Sequence, residues 1–127
     1  MNIEKVIFSF FIVLALTLNF GFFLGDFDNP EHHNVYELFI VVIVNLIATV
    51  LKFGERTQMG AVLLATSLVA SLQLIAAVLV WTFAVHINET GVTPSVIGTI
   101  VSLAGGALMA NIISVVLLVI DISVQRR

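Results

Sequence analysis

The sequence contains no cysteine and few charged residues. Without cysteine, the chain has no disulfide framework, no thiolate metal site and no catalytic thiol. Charged residues make up 10% of its 127 residues, and hydrophobic residues make up 60%. A soluble domain of this size needs more charge, because much of its surface stays in contact with water. The composition therefore excludes an ordinary soluble domain and predicts one membrane domain over residues 1–127.

Signals for several functional classes are also missing. The net charge of −3 argues against nucleic acid as a partner, because nucleic acid binds basic patches. The chain has no glycine-rich phosphate loop, no HExxH zinc motif, no GxSxG motif and no EF-hand loop. Its apolar segments hold no nucleophile paired with a base. We therefore expect neither an enzyme nor a cofactor.

Four long apolar segments dominate what is present. They cover approximately residues 6–24, 35–51, 60–85 and 96–120, and short connections separate them. A helix needs about 20 apolar residues to cross the hydrocarbon core of a bilayer. The pattern predicts an all-α integral membrane protein, a bundle of four transmembrane helices with short loops.

The charged residues between these segments predict the orientation. Every basic residue falls on one side of the predicted membrane: Lys5, Lys52, Arg56, Arg126 and Arg127. The other side carries only acidic charges: Asp26, Asp28, Glu31, Glu37 and Glu89. Because basic loops stay in the cytoplasm, we expect both termini and the loop at 52–56 to be cytoplasmic.

The outward loop between the first two helices is the polar stretch GDFDNPEHHN at 25–34. Its candidate cation-attracting residues form the predicted outer mouth: Asp26, Asp28, Glu31, His32 and His33. Imidazole together with carboxylate suits transition metals, whereas carboxylates alone suit calcium or magnesium. The spacing matches no specific metal motif. It favours weak attraction of cations over a tight metal site, and the metal question stays open at this point.

A helical wheel places four polar residues of the second helix in one sector, which we call the polar stripe: Glu37, Asn45, Thr49 and Lys52. Polar residues aligned along a span face a water-filled path or the protein interior. If several copies gathered around an axis, the stripe would line a cation path below an acidic mouth. The alternative is that Glu37 lies at the headgroups, Lys52 snorkels, and Asn45 and Thr49 bond to a neighbouring helix.

Small residues recur on the first and fourth helices at the spacing that permits close helix packing in lipid. The candidate packing residues are Gly21, Gly25, Gly98, Ser102, Gly106, Ala110 and Ser114. They predict seams within one bundle, with an interface between subunits as the alternative. Each helix also has one deep amide: Asn19, Asn45, Gln73 and Asn111. We expect these amides to bond to neighbouring helices, because an unpaired amide is costly in hydrocarbon.

The two halves of the chain share a weak repeat. The segments 45–51 and 111–117 match at Asn, Ile, Val and Leu, four positions of seven. If the first two helices and the last two helices form repeated hairpins, both hairpins run in the same direction. The two hairpins would then be related by rotation about an axis along the membrane normal.

In size, number of spans and lack of a soluble domain, the whole chain resembles the small four-span inner-membrane proteins of bacteria, many of them in families of unknown function. The resemblance implies the bacterial inner membrane as the location, and it transfers no functional residue because no motif carries it.

Two functional hypotheses follow from the residues. The first is a homo-oligomeric channel or permeation pathway for inorganic cations, lined by the polar stripe. The second is a non-conducting membrane scaffold or accessory subunit that packs through its small-residue faces in the lipid bilayer.

Overall fold

The computed structural model describes residues 3–24, 35–53, 57–87 and 93–125. Within these ranges the chain is helical and contains no strand. The helices are α1 (Ile3–Phe23), α2 (Val35–Lys52), α3 (Gln58–Thr82), which continues into a π-helical turn at Phe83–Ile87, and α4 (Pro94–Gln125). The all-α prediction is confirmed, and the helix bounds lie within a few residues of the predicted apolar segments, with α4 extending five residues beyond its predicted end at 120.

Threonine side chains cap two of the helices. The Thr93 hydroxyl accepts a hydrogen bond from the backbone N–H of Val96 at 3.2 Å, with Pro94 in the first helical position. The Thr57 hydroxyl caps α3 in the same way, 2.9 Å from the N–H of Gly60. Each cap satisfies one of the four backbone N–H groups that a helix start leaves without a partner.

Contacts between the helices define an up-and-down bundle. The most extensive interface joins α3 to α4, and α1–α2, α2–α3 and α1–α4 are the other neighbouring pairs. The start of α1 meets the end of α4, where Lys5 Nζ lies 3.8 Å from an Asp121 carboxylate oxygen. Successive helices are therefore antiparallel, and the diagonal helices α2 and α4 run in the same direction.

The surface of the bundle is apolar. Large hydrophobic side chains are exposed along all four helices, for example Phe10, Ile43, Leu72 and Val119. Three helical segments are long and apolar enough to cross a membrane: Ile3–Phe23, Gln58–Ile87 and Pro94–Val124. At 18 residues, or about 27 Å, α2 is the shortest helix and has Glu37 and Lys52 near its ends. The prediction of a membrane protein is thus supported by three spans, and the fourth span stays a prediction.

The interior contains two apolar clusters with a polar zone between them. One cluster includes Phe22, Leu38 and Leu74, and the other includes Phe8 and Leu63. On each helix a buried polar residue falls between the two clusters. These residues are Asn19 on α1, Asn45 on α2, Ser67 on α3, and Asn111 and Ser114 on α4. The bundle therefore has its amides and hydroxyls inside and its hydrocarbon outside, as expected for a protein whose surroundings are lipid.

Candidate functional site: the polar layer of the bundle

Two asparagines on diagonal helices meet at the centre of the bundle. Asn111 Nδ2 on α4 donates a hydrogen bond to Asn45 Oδ1 on α2 at 2.9 Å, and both side chains are 0% exposed. These are the two asparagines of the sequence repeat, 66 residues apart. A repeat related about an axis along the bundle brings equivalent residues together at that axis, and the Asn45–Asn111 contact has this geometry.

Asn19 links α1 to the same centre. With its amide nitrogen facing the carbonyl of Ala104, Asn19 donates to that carbonyl at 3.0 Å and accepts from the N–H of Leu108 at 3.0 Å. Its oxygen also accepts from Asn111 Nδ2 at 3.2 Å. Asn111 therefore uses both of its N–H groups, one toward Asn45 and one toward Asn19, and joins three helices.

The remaining contacts of the centre reach α3 through hydroxyl groups. The Thr49 hydroxyl donates to the carbonyl of Asn45 at 2.9 Å, so it accepts from the hydroxyl of Ser71, 3.0 Å away. Asn45 Nδ2 in turn donates to Ser71 Oγ at 3.4 Å. Because each hydroxyl has one proton, these bonds fix a single direction of donation from Asn111 through Asn45 and Ser71 to Thr49.

A second contact between α3 and α4 joins the hydroxyls of Thr66 and Ser114. Thr66 donates to the carbonyl of Leu63 at 3.0 Å, so Ser114 is the donor of the pair. We refer to these bonded residues as the polar layer: Asn19, Asn45, Thr49, Thr66, Ser71, Asn111 and Ser114. Three buried side-chain oxygens have no hydrogen-bond partner among the described residues: Ser67 Oγ, Gln73 Oε1 and Asn111 Oδ1. The expectation that the Gln73 amide bonds to a neighbouring helix is therefore not met at its oxygen.

The chemistry of the polar layer is suited to holding the four helices together by hydrogen bonds. It contains amides and hydroxyls, none of which ionises near neutral pH, and its hydroxyls and amides donate to acceptors on a neighbouring turn or helix. Interhelical hydrogen bonds of this kind contribute about 0.6 kcal/mol each on average in membrane bundles. In the described part of the chain, no group of three His, Cys, Asp or Glu side chains is arranged to hold a metal ion. The layer is suited to fixing the register of the four helices.

The structure divides the predicted polar stripe between two environments. Asn45 and Thr49 lie inside the bundle, 0% and 3% exposed, bonded to α3 and α4. Lys52 is 6% exposed, and its ammonium lies 4.2 Å from the centre of the Phe8 ring on α1, a cation–π contact. Of the four residues of the polar stripe, only Glu37 is exposed.

The predicted outer mouth lies outside the described residues, and so does the candidate packing residue Gly25. The residues of the outer mouth are Asp26, Asp28, Glu31, His32 and His33.

The candidate packing residues also occupy different environments. Gly106 faces α3, where a β-carbon would come within 3.0 Å of Gln73 Cδ. Ala110 and Ser114 are buried on the same side of α4, whereas Gly98 is partly buried and Ser102 is exposed. A β-carbon on Gly21 would meet nothing within 4 Å, so this glycine borders open space on the outside of the bundle.

Sequence reasoning missed several residues of the polar layer and its surroundings. Thr66 and Ser71 were not singled out, although a run of small and hydroxyl residues on α3 (ATSLVAS, 65–71) was a visible signal. Gly105 was also missed. A β-carbon there would come 2.7 Å from Phe23 Cε1, so the glycine accommodates the edge of an aromatic ring.

A comparison with protein-family models finds one that matches residues 32–122, which is most of the chain. The chain belongs to the DUF6394 family. This family is one of unknown function, in agreement with the resemblance inferred from size and topology. Comparison with curated proteins and with solved structures gave no match.

The family match covers most of the polar layer. The match includes α2, α3 and all but the end of α4, so it contains Asn45, Ser71 and Asn111. Asn19 on α1 lies before the start of the match. The protein is therefore an integral membrane protein of a family of unknown function, with a hydrogen-bonded polar layer at the centre of its bundle.

Proposed function

We propose that this DUF6394 protein is a non-conducting membrane scaffold or accessory subunit of a bacterial inner membrane. In this proposal α2 is a fourth span and both termini are cytoplasmic. The supporting observation is the burial of Asn45 and Thr49, whose side chains are bonded to neighbouring helices within one copy of the chain. A path lined by these side chains would require the bundle to separate and its hydrogen bonds to break.

A protein with a filled interior acts through its outer faces. One outer groove lies between α1 and α2 and has a volume of about 180 Å³. Thr17 and Gly21 border it on α1, and Glu37, Ile40 and Val41 border it on α2. Because Gly21 has no side chain, the backbone of another helix can approach α1 closely at this point, the usual geometry of helix association in lipid.

Charge indicates which partner fits this groove. Glu37 is exposed, and the sequence provides no lysine or arginine at its end of the bundle. A second copy bound through the same groove would bring two Glu37 carboxylates together, which costs energy at a low local dielectric. The groove therefore favours a different membrane protein, with a basic group near the headgroups, and a homo-oligomer would use another face.

A cation pathway is the second candidate, and the exposed Glu37 is the observation that favours it. Several copies could arrange their Glu37 side chains around a shared path, outside the individual bundles, where a ring of carboxylates would select cations. In this version Asn45 and Thr49 hold the bundle together and take no part in conduction.

Ion flux through liposomes distinguishes the two candidates. Purified protein reconstituted at several protein-to-lipid ratios is expected to give the flux of empty liposomes, at any voltage or pH. Cation flux that exceeds this background and falls in Glu37→Gln would contradict the scaffold proposal and support the pathway.

Native electrophoresis of gently solubilised membranes tests directly whether the protein forms a complex through the groove between α1 and α2. Gly21→Leu should shift the protein from a complex to the free bundle, whereas Val13→Leu, at an exposed α1 position outside the groove, should leave the complex intact.

A further inference from the structure

A second groove runs along α1 on the outside of the bundle. Its volume is about 660 Å³, and it is lined mainly by α1 side chains, with Ile122 of α4 on one side. Phe10 and Val13 form much of its wall, and Lys5 stands at one end and Thr17 at the other. The Thr17 hydroxyl donates to the carbonyl of Leu14 at 3.0 Å. Between Lys5 and Thr17 the groove surface is mostly apolar, with Ser9 as a further polar lining residue.

The length of this groove matches one leaflet of a bilayer. From Lys5 to Thr17 the helix rises by about 18 Å, at 1.5 Å per residue. Half of a hydrocarbon core of about 30 Å is about 15 Å. The groove therefore reaches from one membrane interface to about the middle of the bilayer, which is the depth that an acyl chain of one leaflet occupies.

The charge at the Lys5 end suits an anionic headgroup. The Lys5 side chain is 26% exposed and lies 3.8 Å from Asp121, and its ammonium group has three N–H donors. All five basic residues belong to helix ends or connections on this side, together with three of the eight acidic residues, Glu4, Glu55 and Asp121. The other five acidic residues belong to the opposite side, so the Lys5 side is the more positive one.

We propose that the groove binds one anionic phospholipid, with an acyl chain along Phe10 and Val13 and the phosphate on Lys5 Nζ. A lysine at a membrane interface places its ammonium among the headgroups, and a phosphate accepts hydrogen bonds from it. A second copy of the chain fits the groove less well. Two copies in one membrane have the same orientation, and a symmetric contact through this face would bring their Lys5 ammonium groups together.

The test uses a fluorescent reporter in the groove. Phe10→Trp in a Trp81→Phe background places the sole tryptophan beside the proposed acyl chain. The protein is reconstituted in phosphatidylcholine vesicles containing brominated phosphatidylglycerol or, in a parallel series, brominated phosphatidylcholine. We expect the anionic lipid to quench at about fivefold lower mole fraction, the contribution of about one lysine at an anionic surface.

Lys5→Gln should abolish this preference, and Arg127→Gln, which removes a basic residue of the same end, should retain most of it. Equal quenching by the two lipids, or a preference that Lys5→Gln leaves unchanged, would overturn the proposal. Disulfide formation between copies of a Val13→Cys variant at high lipid dilution would also overturn it, in favour of a second copy as the occupant. None of these outcomes depends on the flux or complex measurements that test the proposed function.

Discussion

Gly106→Leu is expected to destabilise the folded bundle by about 3 kcal/mol or more, the range for overpacking a tight contact between helices. A β-carbon at position 106 would come within 3.0 Å of Gln73 Cδ and 3.1 Å of Gln73 Nε2. Gln73 is partly buried on the interface between α3 and α4, the most extensive one in the bundle. Because a leucine adds four carbons at this point, α3 and α4 must move apart. Unfolding of the purified protein in mixed micelles, followed by circular dichroism, measures the loss.

Two further variants test the cause of this loss. Gly21→Leu adds the same side chain to a helix glycine whose β-carbon meets nothing within 4 Å, so its stability should stay within about 0.5 kcal/mol of the wild type. The smaller change Gly106→Ala should cost less when Gln73→Ala removes the amide that it meets. A double-mutant cycle with no coupling between positions 73 and 106 would show that this steric account is wrong.

Asn111→Leu is expected to cost about 1–3 kcal/mol, because the substitution removes two interhelical hydrogen bonds and takes from the buried Asn45 oxygen its donor. Asn111 donates to Asn45 on α2 at 2.9 Å and to Asn19 on α1 at 3.2 Å, so its amide joins three helices. Leucine has the same branched outline and the higher helix propensity, but its methyl groups are bulkier than the amide, so the measured loss combines the lost hydrogen bonds with some overpacking. The same unfolding measurement in mixed micelles gives the free energy.

Ser67→Ala is the matched control for this prediction. Ser67 is 0% exposed, and its hydroxyl has no hydrogen-bond partner among the described residues. Its removal should be neutral or stabilising by up to about 1 kcal/mol, because a buried hydroxyl without a partner is unfavourable. If Ser67→Ala costs as much as Asn111→Leu, then burial of polar groups in general, and not the bonds of the polar layer, determines stability.

Much of the fold could be predicted from composition and hydrophobic runs. Apolar stretches of more than 18 residues predict helices directly, and Thr93 before Pro94 marks the start of α4. Four deep amides were expected to form interhelical bonds, because hydrocarbon offers them no other partner. The structure shows such bonds for Asn19, Asn45 and Asn111, whereas the Gln73 oxygen has no partner among the described residues. These predictions depend on local pattern and on the properties of lipid, and both can be read from one sequence.

The environment of each polar residue could not be predicted in the same way. A helical wheel groups Glu37 with Asn45 and Thr49, but it does not say whether their sector faces another helix of the same copy or an axis between copies. The answer depends on which helices are neighbours, and that depends on packing between residues far apart in sequence, such as Gly106 with Gln73. For the same reason the glycine pattern did not distinguish Gly106, inside a seam, from Gly21, beside open space.

The most direct test of the central claim, that the polar stripe of α2 is closed inside one bundle, uses the absence of native cysteine. Single variants Thr49→Cys and Ser71→Cys replace buried hydroxyls with thiols of nearly the same size, and Glu37→Cys places a thiol at an exposed position. Each is reconstituted in liposomes and treated with a water-soluble, membrane-impermeant thiol reagent on both sides. We expect Glu37→Cys to react readily, and Thr49→Cys and Ser71→Cys to react only after the bundle is unfolded in detergent. Rapid modification of Thr49→Cys in the intact membrane would show that water reaches the stripe and would contradict the account.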